Sequence, residues 1–378
     1  VNAPGTTRAD APRTGSVNPV LLDCTLRDGG NQNDWQFSAT DVRTIVSTLD
    51  AARVDVIEVG YRGGSGSRAS ATAGPSAHCT PEYLSALPDV SHAELAVMVV
   101  PTVCPTNALD DLPDSPVSLV RIAAYPWNID GVPEYVRAVR ALGLKVGVNL
   151  MAVSYTTEAQ LREVAAVVAA EAPDVFYIAD SFGALTPDDV RRRVGLLAER
   201  LPTPLGIHAH NNLGLAAANA VAGLDAGVSW LDASLCAMAR GAGNLATEQA
   251  VAFLTAWPRY ATHADLPLVC EAAEYVAERV LPRPMTVGRA EIAAGINDHH
   301  FYFQDRIEKI SAHHGLDPWE VGRRIGAAQP RKVLDETVED VCRELAASAA
   351  RAAQAARQAQ AAPAARTEAA AQTPGGDA

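Results

Sequence analysis

Two short runs carry residue types that could hold an ion. One is Leu22-Asp23-Cys24-Thr25-Leu26-Arg27-Asp28-Gly29-Gly30, an apolar stretch running straight into a guanidinium and a carboxylate. The other is His208-Ala209-His210, followed by Asn211 and Asn212. Residues i and i+2 of an extended chain point the same way, so both imidazoles can reach one point. Asp28, His208 and His210 together offer one carboxylate and two imidazoles and leave coordination positions open, a set suited to Mn²⁺, Co²⁺, Fe²⁺ or Zn²⁺. Each run alone has an ordinary explanation: an Arg–Asp pair can fix a turn, and His-x-His is frequent by chance. Together they outweigh it.

These residues must be positioned by strands. β-branched or apolar runs occur at 20–24, 54–59, 95–100, 117–123, 145–150, 175–179, 205–208 and 229–232. Helical periods separate most of them, at 39–52, 81–87, 132–142, 157–170, 186–200 and 213–226, with Ser38 as an expected N-cap. Eight strands alternating with helices over about 240 residues predict an α/β fold, a (β/α)8 TIM barrel. No GxGxxG follows the first strand, as a dinucleotide-binding doubly wound sheet would require. In a barrel the C-terminal strand ends converge on the active site. That places Arg27 and Asp28 there, with Glu58, Tyr61 and Arg62 after strand two, Asn149 and Met151 after strand five, and Asp180 after strand six. His208 and His210 follow on strand seven. After strand eight, Gly241, Ala242 and Gly243 permit close backbone approach, and Asn244 offers an amide oxygen to the metal's surroundings.

The organisation expected is a disordered leader at 1–18, a catalytic barrel at 19–262, a helical C-terminal region at 263–345 and an Ala-rich tail at 346–378. Of the 378 residues, 31 are Lys or Arg and 44 Asp or Glu, a net charge of −13. That acidity argues against a nucleic-acid binder. No run approaches the roughly 20 apolar residues of a membrane span, and the first residues lack the apolar core of a signal peptide. The six cysteines are scattered singly, which reads as reduced thiols in a cytoplasmic protein. Leader and tail each carry a small positive excess, so the folded portion is more acidic still. An anionic substrate must therefore be met by local positive charge: a metal, Arg27 and Arg62.

LDCTLRDGG, IEVG, YIADSFGALTP, IHAHNNLGLAAANAVAGLDAG and DASLCAMARGAGN occur in that order across residues 20–255. In this the chain resembles the metal-dependent barrel family of hydroxymethylglutaryl-CoA lyase, isopropylmalate synthase and the 4-hydroxy-2-oxoacid aldolases. HAHNNLGLAAAN and GAGN are most similar to the 4-hydroxy-2-oxovalerate aldolase branch. The resemblance implies a divalent metal, Mn²⁺ first and Co²⁺, Mg²⁺ or Zn²⁺ as alternatives, held by Asp28, His208 and His210. It implies a 2-oxoacid such as pyruvate, with an aldehyde or ketone, as small-molecule substrates. Arg27 would donate hydrogen bonds to the developing oxyanion, with Asn31, Asp180, Asn244 and Arg62 around the substrate. An aldehyde dehydrogenase partner and a homo-oligomer are further implied expectations.

One departure matters. In that branch a His follows the RDG motif by two positions and serves as acid–base group; here the position is Asn31, whose amide cannot accept and return a proton at neutral pH. The family's assisting Tyr aligns near His299 or His300. The expected acid–base candidates are His300, His299, Tyr61 and His78, in that order, and the altered group suggests an altered substrate. Arg62 and Arg68, in the Gly- and Ser-rich insertion after strand two, could grip an anion, and Trp35 either walls the pocket or staples the next helix. The alternative activity is a Claisen-type condensation of an acyl-CoA with a 2-oxoacid, for which Gln32 is the supporting residue. A barrel that binds a partner and lost its base at Asn31 is the non-enzyme reading.

Overall fold

A computed structural model describes residues 16–66, 72–328 and 333–361. Eight strands form its centre: β1 (Val20–Asp23), β2 (Val56–Arg62), β3 (Glu94–Val99), β4 (Val117–Ala124), β5 (Lys145–Leu150), β6 (Val175–Asp180), β7 (Leu205–Ala209) and β8 (Trp230–Ala233). All neighbours pair in parallel, and β8 pairs with β1, so the sheet closes into a (β/α)8 barrel. Around it run α1 (Ala39–Ala51), α2 (Pro81–Ser85), α3 (Val132–Ala141), α4 (Glu158–Glu171), α5 (Pro187–Ala198), α6 (Ala216–Asp225) and α7 (Thr247–Ala256). Ser38, Thr157 and Thr186 each start a helix with a capping box closed by Asp41, Gln160 and Asp189, which satisfies otherwise orphaned N–H groups.

Two boundaries differ from expectation for local reasons. Helix α6 begins at Ala216 rather than near 213, because Gly214 has φ +71° and the Asn211 side chain accepts from Ala216 N. Strand β2 runs on to Arg62, with its register against β3 shifting between Glu58 and Tyr61. Gly60, at φ +151°, sits in this irregularity; a Cβ there would lie 2.1 Å from Ser76 O. Strict alternation would put Glu58, Gly60 and Arg62 on one face. The shift instead lets both Glu58 and Tyr61 face the lumen.

The lumen is layered. Its floor is apolar: Leu22, Cys24, Val56, Ala96 and Leu119, with Val20 and Trp230 against them. Near the mouth, Trp35, Tyr61, Ala77, Met98 and Ala123 form a second apolar cluster, joined by Val100 and Met151. Between these lie the buried charges described below.

α8 (Leu266–Arg279) buries Val269, Ala272, Ala273 and Val276 in the main core, and α9 (Arg289–Ile296) follows. The first compact unit therefore runs to Asp298, and the second begins at His299 rather than at 263. That second unit contains α10 (Gln304–His313), α11 (Pro318–Ala328) and α12 (Asp335–Ala361) around its own core of Ile307, Val321, Ile325, Val333, Val338 and Cys342. α12 continues through the start of the expected tail, with the residues from Ala346 to Gln358 exposed. The leader up to residue 15 and the tail from 362 lie outside the described residues. Among those described, no helix is long and apolar enough to cross a membrane.

Candidate active site

The ends of β1, β7 and β8 meet where the expected ligands lie. Asp28 opens a short 3-10 turn after β1, His208 lies in β7, and His210 follows its end; all three are buried. His208 Nε2 is 3.5 Å and His210 Nε2 3.8 Å from Asp28 Oδ2. One ligand atom from each lies within 4.8 Å of the other two, the one such cluster among the described residues. On its far side His208 Nδ1 meets Asp232 Oδ2 at 2.9 Å, which directs Nε2 toward Asp28. Asn244 Nδ2 donates to Asp28 Oδ2 at 3.0 Å, while its buried Oδ1 has no partner among the described residues. A carboxylate, two imidazole nitrogens and an unsatisfied amide oxygen in one dry site fit a divalent cation.

Electrostatics prepare these groups. Burial opposes the charge on Asp28, but Arg27 and His208 outweigh it and hold the carboxyl well below its usual range. Burial likewise disfavours protonated His208, yet Asp232 and Asp28 raise its pKa above the ordinary value. Burial and the Arg240 guanidinium push His210 well below it, so that ring is neutral.

The neighbours of Arg27 form a closed ring of charge. Arg27 donates from Nε to Glu58 Oε2 at 2.7 Å and pairs through Nη1 with Asp28 Oδ1 at 2.9 Å. Arg121, itself fully buried, donates to Glu58 Oε2 at 3.0 Å and to Asp232 Oδ2 at 2.5 Å. Asp232 then holds His208, which faces Asp28 again. The Arg121 guanidinium also lies 4.2 Å from the Tyr177 ring centroid. Buried charges survive only when so paired. The Arg27 donors are thus assigned, and Nη2 is left without a partner among the described residues.

Other expected site residues fall differently. Asn31 donates its amide to Asp28 O at 2.9 Å and Oδ1 at 3.3 Å, so it supports the metal carboxylate. Tyr61 is buried, with its hydroxyl 3.5 Å from Arg27 Nη1 and its pKa raised by burial. Trp35 meets the Tyr61 ring edge-on at 5.9 Å and donates to Arg27 O at 2.7 Å, so it walls the mouth. Arg62 is a correction: each of its three guanidinium nitrogens donates within the protein, to Ala108 O, Cys79 O and Asp111 Oδ1, and Asp111 already meets its charge. Continuing β2 beyond its irregularity turns Arg62 away from the lumen. Asp180 is a second correction, since its two oxygens accept from Ala184 N and Leu185 N and brace the turn after β6. Burial pushes its carboxyl up to about 7. His78 is exposed. His299 is buried and His300 stacks on Tyr302 at 4.2 Å, both within the second unit. Arg68 lies outside the described residues.

The loop after β8 reaches over the site. Asn211 N donates to Gly243 O at 2.8 Å and Leu245 N to Ala209 O at 3.2 Å, stitching it to the end of β7. Gly243 has φ +88°, and a Cβ there would stand 2.2 Å from Ala237 O, so both chain curvature and close approach demand glycine. Sequence reasoning missed Arg121, Asp232 and Arg240. The first two alternate with apolar residues as any half-buried strand does; Arg240 looks like an ordinary loop arginine.

Comparison with known proteins agrees with this geometry. A family model described as HMGL-like matches residues 120–276. The 4-hydroxy-2-oxovalerate aldolase of Geobacillus genomosp. 3 is 31% identical over 332 residues, covering 88% of this chain and 98% of that protein. The enzyme of the same name from Thermomicrobium roseum is 34% identical over 341 residues, covering 88% and 94%. Among solved structures, Bacillus subtilis HMG-CoA lyase superposes with a TM-score of 0.62 at 18% identity, covering 73% of this chain and 97% of that one. The carboxyl transferase domain of Rhizobium etli pyruvate carboxylase gives 0.66 at 16%, covering 89% and 61%. These two likenesses show the barrel fold.

The chain belongs to the HMGL-like family, grouping there with the 4-hydroxy-2-oxovalerate aldolases. It is a divalent-metal-dependent carbon–carbon lyase of the aldolase type, and its relatives favour that reading over the acyl-CoA condensing enzyme and the non-enzyme barrel.

Proposed function

We propose that the enzyme joins or cleaves pyruvate, or a closely related 2-oxoacid, and an aldehyde or ketone, with Mn²⁺ held by Asp28, His208 and His210 and the Asn244 amide oxygen beside it. The observation that carries this reading is the convergence of those donors beside an arginine, Arg27, whose Nη2 has no partner among the described residues. A bound divalent ion supplies Lewis acidity to the 2-oxoacid oxygens, favouring the enolate at neutral pH. Arg27 adds a fixed donor, Nη2, whose orientation is set by Glu58 and Asp28 before substrate arrives. Such preorganisation is typically worth about 3 kcal/mol per donor.

Trp35, Tyr61, Met98, Ala123 and Met151 line the β2–β5 side of the mouth with apolar surface that excludes water from a reactive carbanion equivalent. Tyr61 is the proton donor: burial keeps its hydroxyl protonated at neutral pH, beside Arg27, where an alkoxide would form. Asn31 takes no part in proton transfer. His300 is the second acid–base candidate. A cytoplasmic location, a homo-oligomer and an aldehyde dehydrogenase partner complete the reading, the last two as the resemblance to the aldolase branch implies.

The test is exchange of the pyruvate methyl protons in D₂O with Mn²⁺ supplied, followed by NMR. We expect exchange with the wild-type protein, loss of Mn²⁺ binding and exchange in Asp28→Asn and His210→Ala, and restoration in wild type after chelation and reloading. Metal bound without exchange of any 2-oxoacid would overturn the proposal.

A further inference from the structure

Arg240 lies over the site without a carboxylate of its own. Its Nε donates to His210 Nε2 at 3.3 Å, and no acid pairs with it among the described residues. The nitrogen it touches is the one that faces Asp28, so that lone pair belongs to the cation in the loaded enzyme. Arg240 then has no carboxylate in hydrogen-bonding contact with it among the described residues.

The backbone presenting Arg240 is built rather than loose. Gln32 Nε2 donates to Ala239 O at 2.5 Å, and Gly243 N donates to Arg240 O at 3.1 Å. Gly241 turns the chain at φ +60°. A partly exposed guanidinium held on a tight turn beside a reaction centre is suited to bidentate capture of a planar anion. Arg62 differs, because Asp111 already pairs with its charge and Ala108 O and Cys79 O take bonds from its other two nitrogens. Arg27 is committed to the enolate side.

We propose that Arg240 binds a carboxylate carried by the carbonyl acceptor, so that the acceptor is an anionic aldehyde or oxoacid rather than a neutral aldehyde. This rests on the aldolase reading above and names the substrate class for the same site. In the condensing direction the enolate carbon bonds to the acceptor carbonyl carbon, the carbonyl π pair becomes an alkoxide, and Tyr61 delivers the proton to it. Arg240 holds the remote carboxylate throughout and changes no bond.

The test uses the full chain loaded with Mn²⁺ and pyruvate, with propanal and butanal as neutral acceptors and glyoxylate and succinic semialdehyde as anionic ones. We expect kcat/KM at least tenfold higher for an anionic acceptor than for the neutral aldehydes. In Arg240→Gln the anionic-to-neutral ratio should fall ten- to hundredfold, chiefly through a higher KM for the anionic acceptor, with Arg240→Lys recovering part of it. A folding defect would show as a lowered thermal midpoint or a changed far-UV circular dichroism spectrum in Arg240→Gln, neither of which needs an acceptor. Exchange intact in both proteins with an unchanged acceptor ratio would overturn the Arg240 assignment and leave the aldolase reading standing. No exchange in the wild type would instead remove the aldolase reading itself.

Discussion

At the scale of residues, the position of Asn31 decides which side chains are left to move a proton. The branch that this chain resembles has a histidine where Asn31 stands. An amide cannot relay a proton, and the structure gives Asn31 the work of holding Asp28. On the reading proposed above, proton transfer falls to Tyr61, whose buried hydroxyl is held protonated by burial. Tyr61→Phe removes the hydroxyl and keeps the ring against Trp35. Turnover in aldol condensation should drop by about a hundredfold or more, as loss of a positioned acid does, while Mn²⁺ affinity measured by calorimetry stays within a few-fold. A parallel pair, His300→Asn and His78→Asn, weighs the second candidate: the first should slow turnover more, because His78 is an exposed residue. Equal, intact rates in both would leave Tyr61 alone.

At the scale of elements, strands and helices are tied together by buried polar groups beside the apolar core. Asp23 on β1 accepts from Thr247 Oγ1 on α7 at 2.6 Å and from Thr25 N at 2.9 Å. Burial outweighs these bonds and pushes its carboxyl up to about 6. A folded pKa above the unfolded one means that the folded state holds the extra proton between about pH 4 and pH 6. Stability from this group is thus complete at low pH and is lost as pH rises through about 6. The amide introduced by Asp23→Asn can accept from Thr25 N and donate to Thr247 without titrating. Denaturant melts of Asp23→Asn against wild type should show the variant gaining about 3 kcal/mol in relative stability between pH 4 and pH 7. A gap that stays constant with pH would contradict the assignment. The same scale explains Tyr61: the strand irregularity at Gly60, not the hydrophobic alternation, turns the ring into the lumen.

At the scale of the whole molecule, two hydrophobic cores divide the chain. The barrel core includes α8, while Ile307, Val321, Ile325, Val333, Val338 and Cys342 form a smaller core among α10, α11 and α12. Ile325 is almost fully buried there, so Ile325→Ala should cost that unit about 3 kcal/mol in transfer and cavity terms. Hydrogen exchange should quicken across α10, α11 and α12 while the barrel strands keep their protection and Mn²⁺ affinity is unchanged. Quickening spread equally over the strands would show one cooperative unit instead. The net charge of −13 belongs to this scale too. An acidic protein that takes an anionic substrate needs concentrated positive charge, which on the proposed reading Arg27, Arg240 and the metal would supply.

What could be read from the amino-acid order was whatever depends on short-range spacing. The alternation of strands and helices announced the barrel, and the placement of Asp28 and His-x-His at strand ends announced their convergence into one cluster, because in a barrel every strand end points to the same mouth. Ser38 was legible as a cap for the same reason: its partner is three residues away. What only the tertiary structure decided depends on partners far apart in the chain. Arg121 acquires its role from Glu58 and Asp232, which lie 63 and 111 residues away. Arg62 and Arg240 look alike as loop arginines, yet one finds three acceptors in the fold and the other meets a ring nitrogen of His210. The fate of a side-chain charge is set by what the folded chain brings within about 4 Å of it, and local sequence does not contain that distance.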